Sequence, residues 1–388
     1  MNVQAPLAEP LAAPRPILDG TSGLPNAHYI DPETFAEEKH AVLFANWAGI
    51  GFGKDIPEPG DARPVDFVGM PLLIVRDKDG SIGVFQNTCR HRGMILVAEP
   101  TKLRGAIRCP YHSWCYGLDG ALRTAPHIGG LGRSTHPDMD PADLGLFRIR
   151  SHVWRDVIFV NVDGNAPAFE DQHAELLERW GEFEQEMHHG GETSSFKLDV
   201  NTNWKLAVEN YCESYHLPWV HPGLNSYSRL EDHYNVERPG LYSGQGSLLY
   251  RQLKGENGSV MPDFKGLGEK WNEGAEYVAL YPNVLLGVQR DHAFAIVLEA
   301  VDHQRTIEHV ELYYAVDSIS TPELDDLRAE NAKLWRTVFE EDIFVVEGMQ
   351  KGRHGMLFDG GRFSPAMDVP TRNFHLWVAS QIERARAA

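Results

Sequence analysis

The sequence predicts an α+β protein of two domains: a small antiparallel β unit, then a larger unit of strands and long helices. Three observations predict it. The chain has 388 residues, enough for two cores. Strand-like runs in the first half surround two short loops rich in Cys and His. The second half carries further strand-like segments and two helical patterns, at 203–217 and from 321 onward.

Residues 71–76, 82–85 and 153–160 are the apolar, β-branched runs of the first unit. Between them, Cys89 and His91 stand in Asn-Thr-Cys-Arg-His-Arg-Gly. After seventeen further residues come Cys109 and His112, in Cys-Pro-Tyr-His-Ser-Trp. Gly93 and Pro110 sit where tight loops need them, and Asp119-Gly120 is a hairpin signal. Two loops at the tip of a small sheet would present four ligands to one point. Two thiolates on one iron and two imidazoles on the other suit a Rieske [2Fe–2S] cluster, a one-electron carrier. Zinc is the rival, although each half here mixes one Cys with one His, unlike the usual finger spacing. The bland alternative is two buried thiols and two surface imidazoles.

In the second unit, the stretch 203–217 reads as a helix ended by Pro218. Leu206, Glu209, Glu213 and His216 then share a face, and His221 can turn back toward it. Two imidazoles and one carboxylate on one side of Fe(II) leave open positions for O2 and substrate. The alternative is one satisfied and one exposed histidine. Thr321-Pro322-Glu323 starts a later helix, with Thr as cap. Its apolar stripe runs Leu324, Leu327, Leu334, Val338, Val345, Met349, and Asp342 lies on it. An acid on a buried face is costly unless paired or metal-bound, which makes Asp342 the candidate third ligand. Glu341, nearer the stripe's edge, is the rival, and a salt bridge is the alternative. Strand-like segments follow at 242–251, 276–289, 293–301 and 306–316.

Hydrophobic content of 42% and charged content of 23% are those of a soluble globular protein. No apolar run approaches the roughly 20 residues that span a bilayer. Residues 1–16 lack the basic start and apolar centre of a secretion signal and are expected to form a floppy tail. A net charge of −19 disfavours nucleic acid and suits a cationic substrate, a basic redox partner or plain solubility. Beyond the motif, Cys115 and Cys212 remain; cytoplasm is the expected compartment. No glycine-rich phosphate loop follows a strand, and Gly129-Gly130-Leu131-Gly132 is too short and misplaced. A flavin or nicotinamide is therefore expected on a separate protein.

With both constellations in place, the chain resembles the oxygenase (alpha) subunits of Rieske non-haem iron oxygenases, from about residue 28 to the C-terminus. The motifs that carry the resemblance are C-x-H-x17-C-x2-H and E-x2-H-x4-H. Met94 stands where the cytochrome bc1 type has a disulfide cysteine. The resemblance implies a tail at 1–27, a Rieske domain at 28–165 and a catalytic domain at 166–388. In the catalytic domain a curved antiparallel sheet grips a long helix. It implies a ring-shaped homotrimer in which Glu213 bridges His112 of one subunit to His216 of its neighbour. It also implies mononuclear Fe(II) on His216, His221 and Asp342, with O2 as co-substrate. Electrons would come from NADH or NADPH through a separate flavin and iron–sulfur reductase.

Aromatic-ring dioxygenases usually have Asp at the bridge. Glu213 looks more like the branch acting on quaternary ammonium compounds: choline, glycine betaine, carnitine and stachydrine oxygenases. The expected reaction is then monooxygenation, by N-demethylation or hydroxylation; the alternative substrate is an aromatic compound. A quaternary ammonium donates no hydrogen bond, so aromatic faces hold it, at about 0.5–2 kcal/mol each. Tyr281, Phe294 and Trp219 are the candidates, with core packing as the alternative for each.

Overall fold

The computed structural model of the chain describes residue 18, residues 20–255 and residues 258–387. The expected floppy tail at 1–16 lies outside the described residues.

Ten strands build the first unit. They are β1 (Ala48–Phe52), β2 (Asp61–Phe67), β3 (Met70–Arg76), β4 (Ile82–Gln86), β5 (Thr101–Lys102), β6 (Ile107–Arg108), β7 (Cys115–Tyr116), β8 (Leu122–Thr124), β9 (Arg148–Trp154) and β10 (Val157–Asn161). Seven of them form one sheet, in the order β1-β10-β9-β4-β3-β2-β5, and β6-β7-β8 form a second, small one. The segment read as one run at 153–160 turns back on itself at Arg155-Asp156, whose φ of 50° and 65° lie in the left-handed region. The first Cys/His loop leaves β4, and the second joins β6 to β7. Leu73, Val75, Phe85, Ile107, Trp114 and Tyr116 pack with both cysteines into one apolar core.

The second unit is an eight-stranded antiparallel sheet. Its strands are β11 (His188–His189), β12 (Ser195–Val200), β13 (His233–Arg238), β14 (Tyr242–Ser247), β15 (Ala275–Leu280), β16 (Val284–Val288), β17 (His292–Asp302) and β18 (Arg305–Tyr314). Val310, Leu312 and Tyr314 of β18 pack in one core with Leu327, Trp335, Val338 and Phe339 of the long helix Asp325–Gly352. A second long helix, Val369–Ala387, closes the chain. Asn283 staples the two units: its amide bonds both backbone groups of Gly49 at 2.9 Å.

Several expectations need correction. The segment 276–289 is two strands, broken by the turn at Tyr281-Pro282-Asn283. The helix at 203–217 stops at Tyr211, and Pro218 lies inside the next short helix, Leu217–Val220. The cause is local: the Glu213 carboxylate accepts from the backbone N–H groups of Tyr215 and His216 and so competes with the helix for them. Thr321 makes no cap; a turn of 3-10 helix at Pro322–Leu324 precedes the long helix. Residues 20–27 are not a free tail either. Leu24 is fully buried, and its N–H donates to His375 Nδ1 at 2.9 Å.

Glu209 does not share the site's face. It accepts from Tyr29 at 2.6 Å and lies 3.2 Å from His375 and 3.6 Å from Arg353. One turn earlier on the same helix, the Lys205 ammonium meets the Glu38 carboxylate at 2.6 Å, both fully buried. Burial pulls the Lys205 ammonium below its usual range, opposed by the Glu38 charge. Removing one partner of such a pair strands the other. Lys205→Met is expected to cost about 3–5 kcal/mol in urea unfolding, and adding Glu38→Gln to recover part of it.

Candidate metal centres

The two Cys/His loops are near copies of each other. In each, the N–H four residues after the Cys donates to the Cys carbonyl: Gly93 to Cys89 at 3.0 Å and Ser113 to Cys109 at 3.1 Å. Each Cys N–H donates back to the residue after that, Met94 or Trp114, at 2.8 Å. The geometry needs a left-handed residue at the fourth position, and Gly93 (φ 72°) and Ser113 (φ 58°) supply it. Cys89 and Cys109 are buried thiols, while His91 and His112 are exposed, with Nδ1 atoms 3.2 Å apart. Trp114 stacks on His91 at 5.0 Å. Burial first, and then His112, hold His91 below its usual range. Two soft donors inside and two convergent imidazoles outside fit a [2Fe–2S] cluster whose histidine-bound iron faces solvent.

Tyr116 was missed in the sequence. Its hydroxyl accepts from the Arg90 N–H at 3.1 Å and lies 3.3 Å from Cys89 Sγ. Since the oxygen already accepts from Arg90, its own proton is free to point at the sulfur. Hydrogen bonds to cluster sulfurs stabilise the reduced form. Tyr116→Phe is expected to lower the cluster's midpoint potential by roughly 40 mV, one hydrogen bond of about 1 kcal/mol in a one-electron couple. A spectroscopic redox titration checks it.

The second centre gathers His216, His221 and Asp342, with ligand atoms all within 4.8 Å of one another. Asp342 Oδ1 lies 3.1 Å from His221 Nε2 and 3.7 Å from His216 Nε2. It is buried and has no hydrogen-bond partner. The remaining nitrogen of each imidazole meets a second carboxylate: His216 Nδ1 and Glu213 at 2.6 Å, His221 Nδ1 and Glu341 at 2.7 Å. An outer carboxylate on each histidine fixes the tautomer that leaves Nε2 free for a metal. Glu341 thus sits behind His221, whereas Asp342 faces both Nε2 atoms. Burial alone would lower the His221 pKa; the Asp342 and Glu341 carboxylates outweigh it and raise it. The orphaned Asp342 oxygen and the convergent imidazoles fit a divalent iron.

A chamber opens on this cluster. Tyr277, Phe294, Trp335 and Phe339 form its aromatic wall, with Phe294 and Trp335 ring centroids 4.5 Å apart and Trp335 and Phe339 5.5 Å apart. Trp335 is locked by a buried relay: its Nε1–H donates to His292 Nε2 at 2.7 Å, and His292 Nδ1 meets Asp291 at 2.8 Å. A second, smaller cavity shares Asn210, Tyr211, Phe339 and Asp342 with the first and is also lined by Glu308. Burial, and secondarily the Asp342 charge, push the Glu308 carboxyl up to about 8.

Of the aromatic candidates, only Phe294 lines the chamber. Tyr281 packs instead between Phe374 and Trp377, at 5.2 and 4.8 Å, with its hydroxyl 2.6 Å from Ser243. Trp219 is 70% exposed, edge-on to Tyr215. Trp335 and Phe339 carried a readable signal: they lie seven and three residues before Asp342, on its side of the helix. Cys115 and Cys212 are both free and buried. No helix among the described residues is long and apolar enough to cross a membrane.

A one-electron carrier and an iron centre with an adjoining chamber define a class, the oxygenases fed by single electrons. The chain belongs to the ring-hydroxylating alpha-subunit family, whose catalytic-domain description matches residues 152–384, and the Rieske [2Fe–2S] domain description matches residues 46–135. It is a Rieske non-haem iron oxygenase, and its two domains imply an iron–sulfur cluster and a mononuclear iron. The carnitine monooxygenase oxygenase subunit of Acinetobacter pittii is 26% identical over 84% of this chain and 84% of its own. The chloroplastic choline monooxygenase of Spinacia oleracea is 25% identical over 92% of this chain and 78% of its own. A solved quaternary ammonium Rieske monooxygenase in complex with L-carnitine superposes with a TM-score of 0.72 at 21% identity, covering 94% of this chain and 96% of its own. Naphthalene 1,2-dioxygenase from Rhodococcus sp. also gives 0.72, at 18% identity, covering 93% and 94%. At such identity the solved structures speak for the fold alone.

Proposed function

We propose that this protein is the terminal oxygenase of a multi-component system that monooxygenates a quaternary ammonium small molecule. The observation that carries the reading is the wall of Tyr277, Phe294, Trp335 and Phe339 facing the His216, His221 and Asp342 cluster. Aromatic faces hold a cation that cannot donate a hydrogen bond. The carnitine and choline monooxygenases among the relatives support the same class.

Cys89, His91, Cys109 and His112 would hold the [2Fe–2S] cluster, and His216, His221 and Asp342 the mononuclear iron. When bound, the cluster supplies single electrons and the iron supplies an O2-binding Lewis-acid centre. Glu213 and Glu341 orient the two histidines. The aromatic wall places a C–H bond beside the metal and keeps bulk water away from it. One oxygen atom enters that bond; two electrons and two protons reduce the other to water. On an N-methyl group the product is a hemiaminal, which releases formaldehyde and leaves a tertiary amine. On a carbinol carbon it is an aldehyde hydrate.

A separate reductase using NADH or NADPH supplies the electrons. The exposed His112 edge would reach Glu213 of a neighbouring copy in a homotrimer, and a chain whose four cysteines form no disulfide suits the cytoplasm. The test is to incubate the holoenzyme with a surrogate reductase, NADH and a panel of quaternary ammonium compounds and aromatic acids. Formaldehyde or an aldehyde formed from an ammonium compound supports the reading. Turnover of aromatic acids alone overturns it in favour of a ring hydroxylase.

A further inference from the structure

We propose that Glu308 is the charge partner of the substrate's cationic end, and that the chamber selects molecules of net positive charge over zwitterionic betaines. This rests on the quaternary ammonium reading above. On β18 the side chains alternate between two faces of the sheet. Thr306, Val310, Leu312 and Tyr314 are buried, and Glu308 shares their parity. Its cross-strand partners are Leu198 and Leu298. The pattern calls for an apolar side chain and supplies an acid instead. Glu308 is half-buried and, with Asp342, lines the smaller cavity beside the chamber. No described residue gives it a hydrogen bond or a counter-charge.

Without a partner such a group escapes the cost of burial only as the neutral acid, and a cation seated beside it favours the charged form. The side chains supply none: among the described residues lining either cavity there is no Lys or Arg. Phe339, a member of the aromatic wall, also lines the cavity that Glu308 lines. An ammonium seated there meets an aromatic face and an acid together, and its neighbouring C–H bonds lie next to Asp342. A zwitterion in the same place brings a carboxylate toward Glu308, with no Lys or Arg side chain to receive it.

Calorimetry on the holoenzyme, without reductase, separates these effects. The probes are choline, its uncharged isostere 3,3-dimethylbutan-1-ol, and glycine betaine. The wild type is expected to bind choline at least about tenfold tighter than either of the others. In Glu308→Gln the choline-to-isostere ratio should fall by about tenfold, with an intermediate fall in Glu308→Asp. Iron content and the cluster spectrum establish that each variant is intact, and Glu308→Asp keeps the test alive if the Gln form does not fold. An unchanged ratio in an intact variant overturns the role of Glu308 alone. Betaine bound as tightly as choline overturns the selection for net charge. A wild type with no preference for choline over its isostere overturns the quaternary ammonium reading, and this proposal with it.

Discussion

Replacing Asp342 with Ala should strip the mononuclear iron and leave the cluster, taking the metal content from about three iron atoms per chain to about two. The visible and reduced-state paramagnetic resonance spectra of the cluster should not change. Turnover should fall by more than the roughly 10–100-fold typical of losing an outer-sphere group. The expectation comes from where each acid points. Asp342 presents an unpartnered oxygen to the free nitrogens of both histidines, while Glu341 bonds the back of one. Glu341→Ala should therefore weaken iron retention by about 10–100-fold under mild chelation without abolishing it. The two variants form an internal contrast. If Asp342→Ala kept its full iron content while Glu341→Ala lost it, the ligand assignment would be reversed.

The sequence was most informative where chemistry is local. Each cluster loop closes within six residues, so its Cys and His could be read directly, and in the first loop Gly93 as well; Ser113, the left-handed residue of the second, could not. Asp342 was legible because a charge on an apolar stripe breaks the helical period. The aromatic wall was not, because it is assembled from β15, β17 and the long helix, with Tyr277 and Phe339 62 residues apart. Tyr281 illustrates the failure. In an unbroken strand it would share a face with Tyr277, four residues earlier. The turn at Pro282 ends the strand at Leu280 and sends Tyr281 toward the C-terminal helix. Trp219 sits in a four-residue helix whose flanking histidines both turn inward, which leaves the tryptophan outside. The anchoring of residues 23–24 by Gly360 and His375 is non-local as well, and no window of sequence reveals it.

Glu213→Gln should keep both metals and still lose turnover. The Glu213 carboxylate spends one oxygen on His216 Nδ1, at 2.6 Å, and the other on the backbone N–H groups of Tyr215 and His216. It is 13% exposed. A carboxylate accepts several N–H bonds at once; a glutamine amide has only one accepting oxygen and turns an NH2 toward the other partner. The side chain keeps its size, so folding should change by no more than about 1 kcal/mol. In the proposed trimer, what is lost is the acceptor that would join two imidazoles. With the cluster reduced beforehand and substrate and O2 added, cluster reoxidation should slow by at least about a hundredfold, while choline affinity stays unchanged. A purely structural role for Glu213 predicts the opposite pattern, a lower melting temperature or lost iron with normal reoxidation in the molecules that remain intact. Reoxidation at the wild-type rate in a fully iron-loaded Glu213→Gln protein would show that electrons reach the mononuclear site by another route.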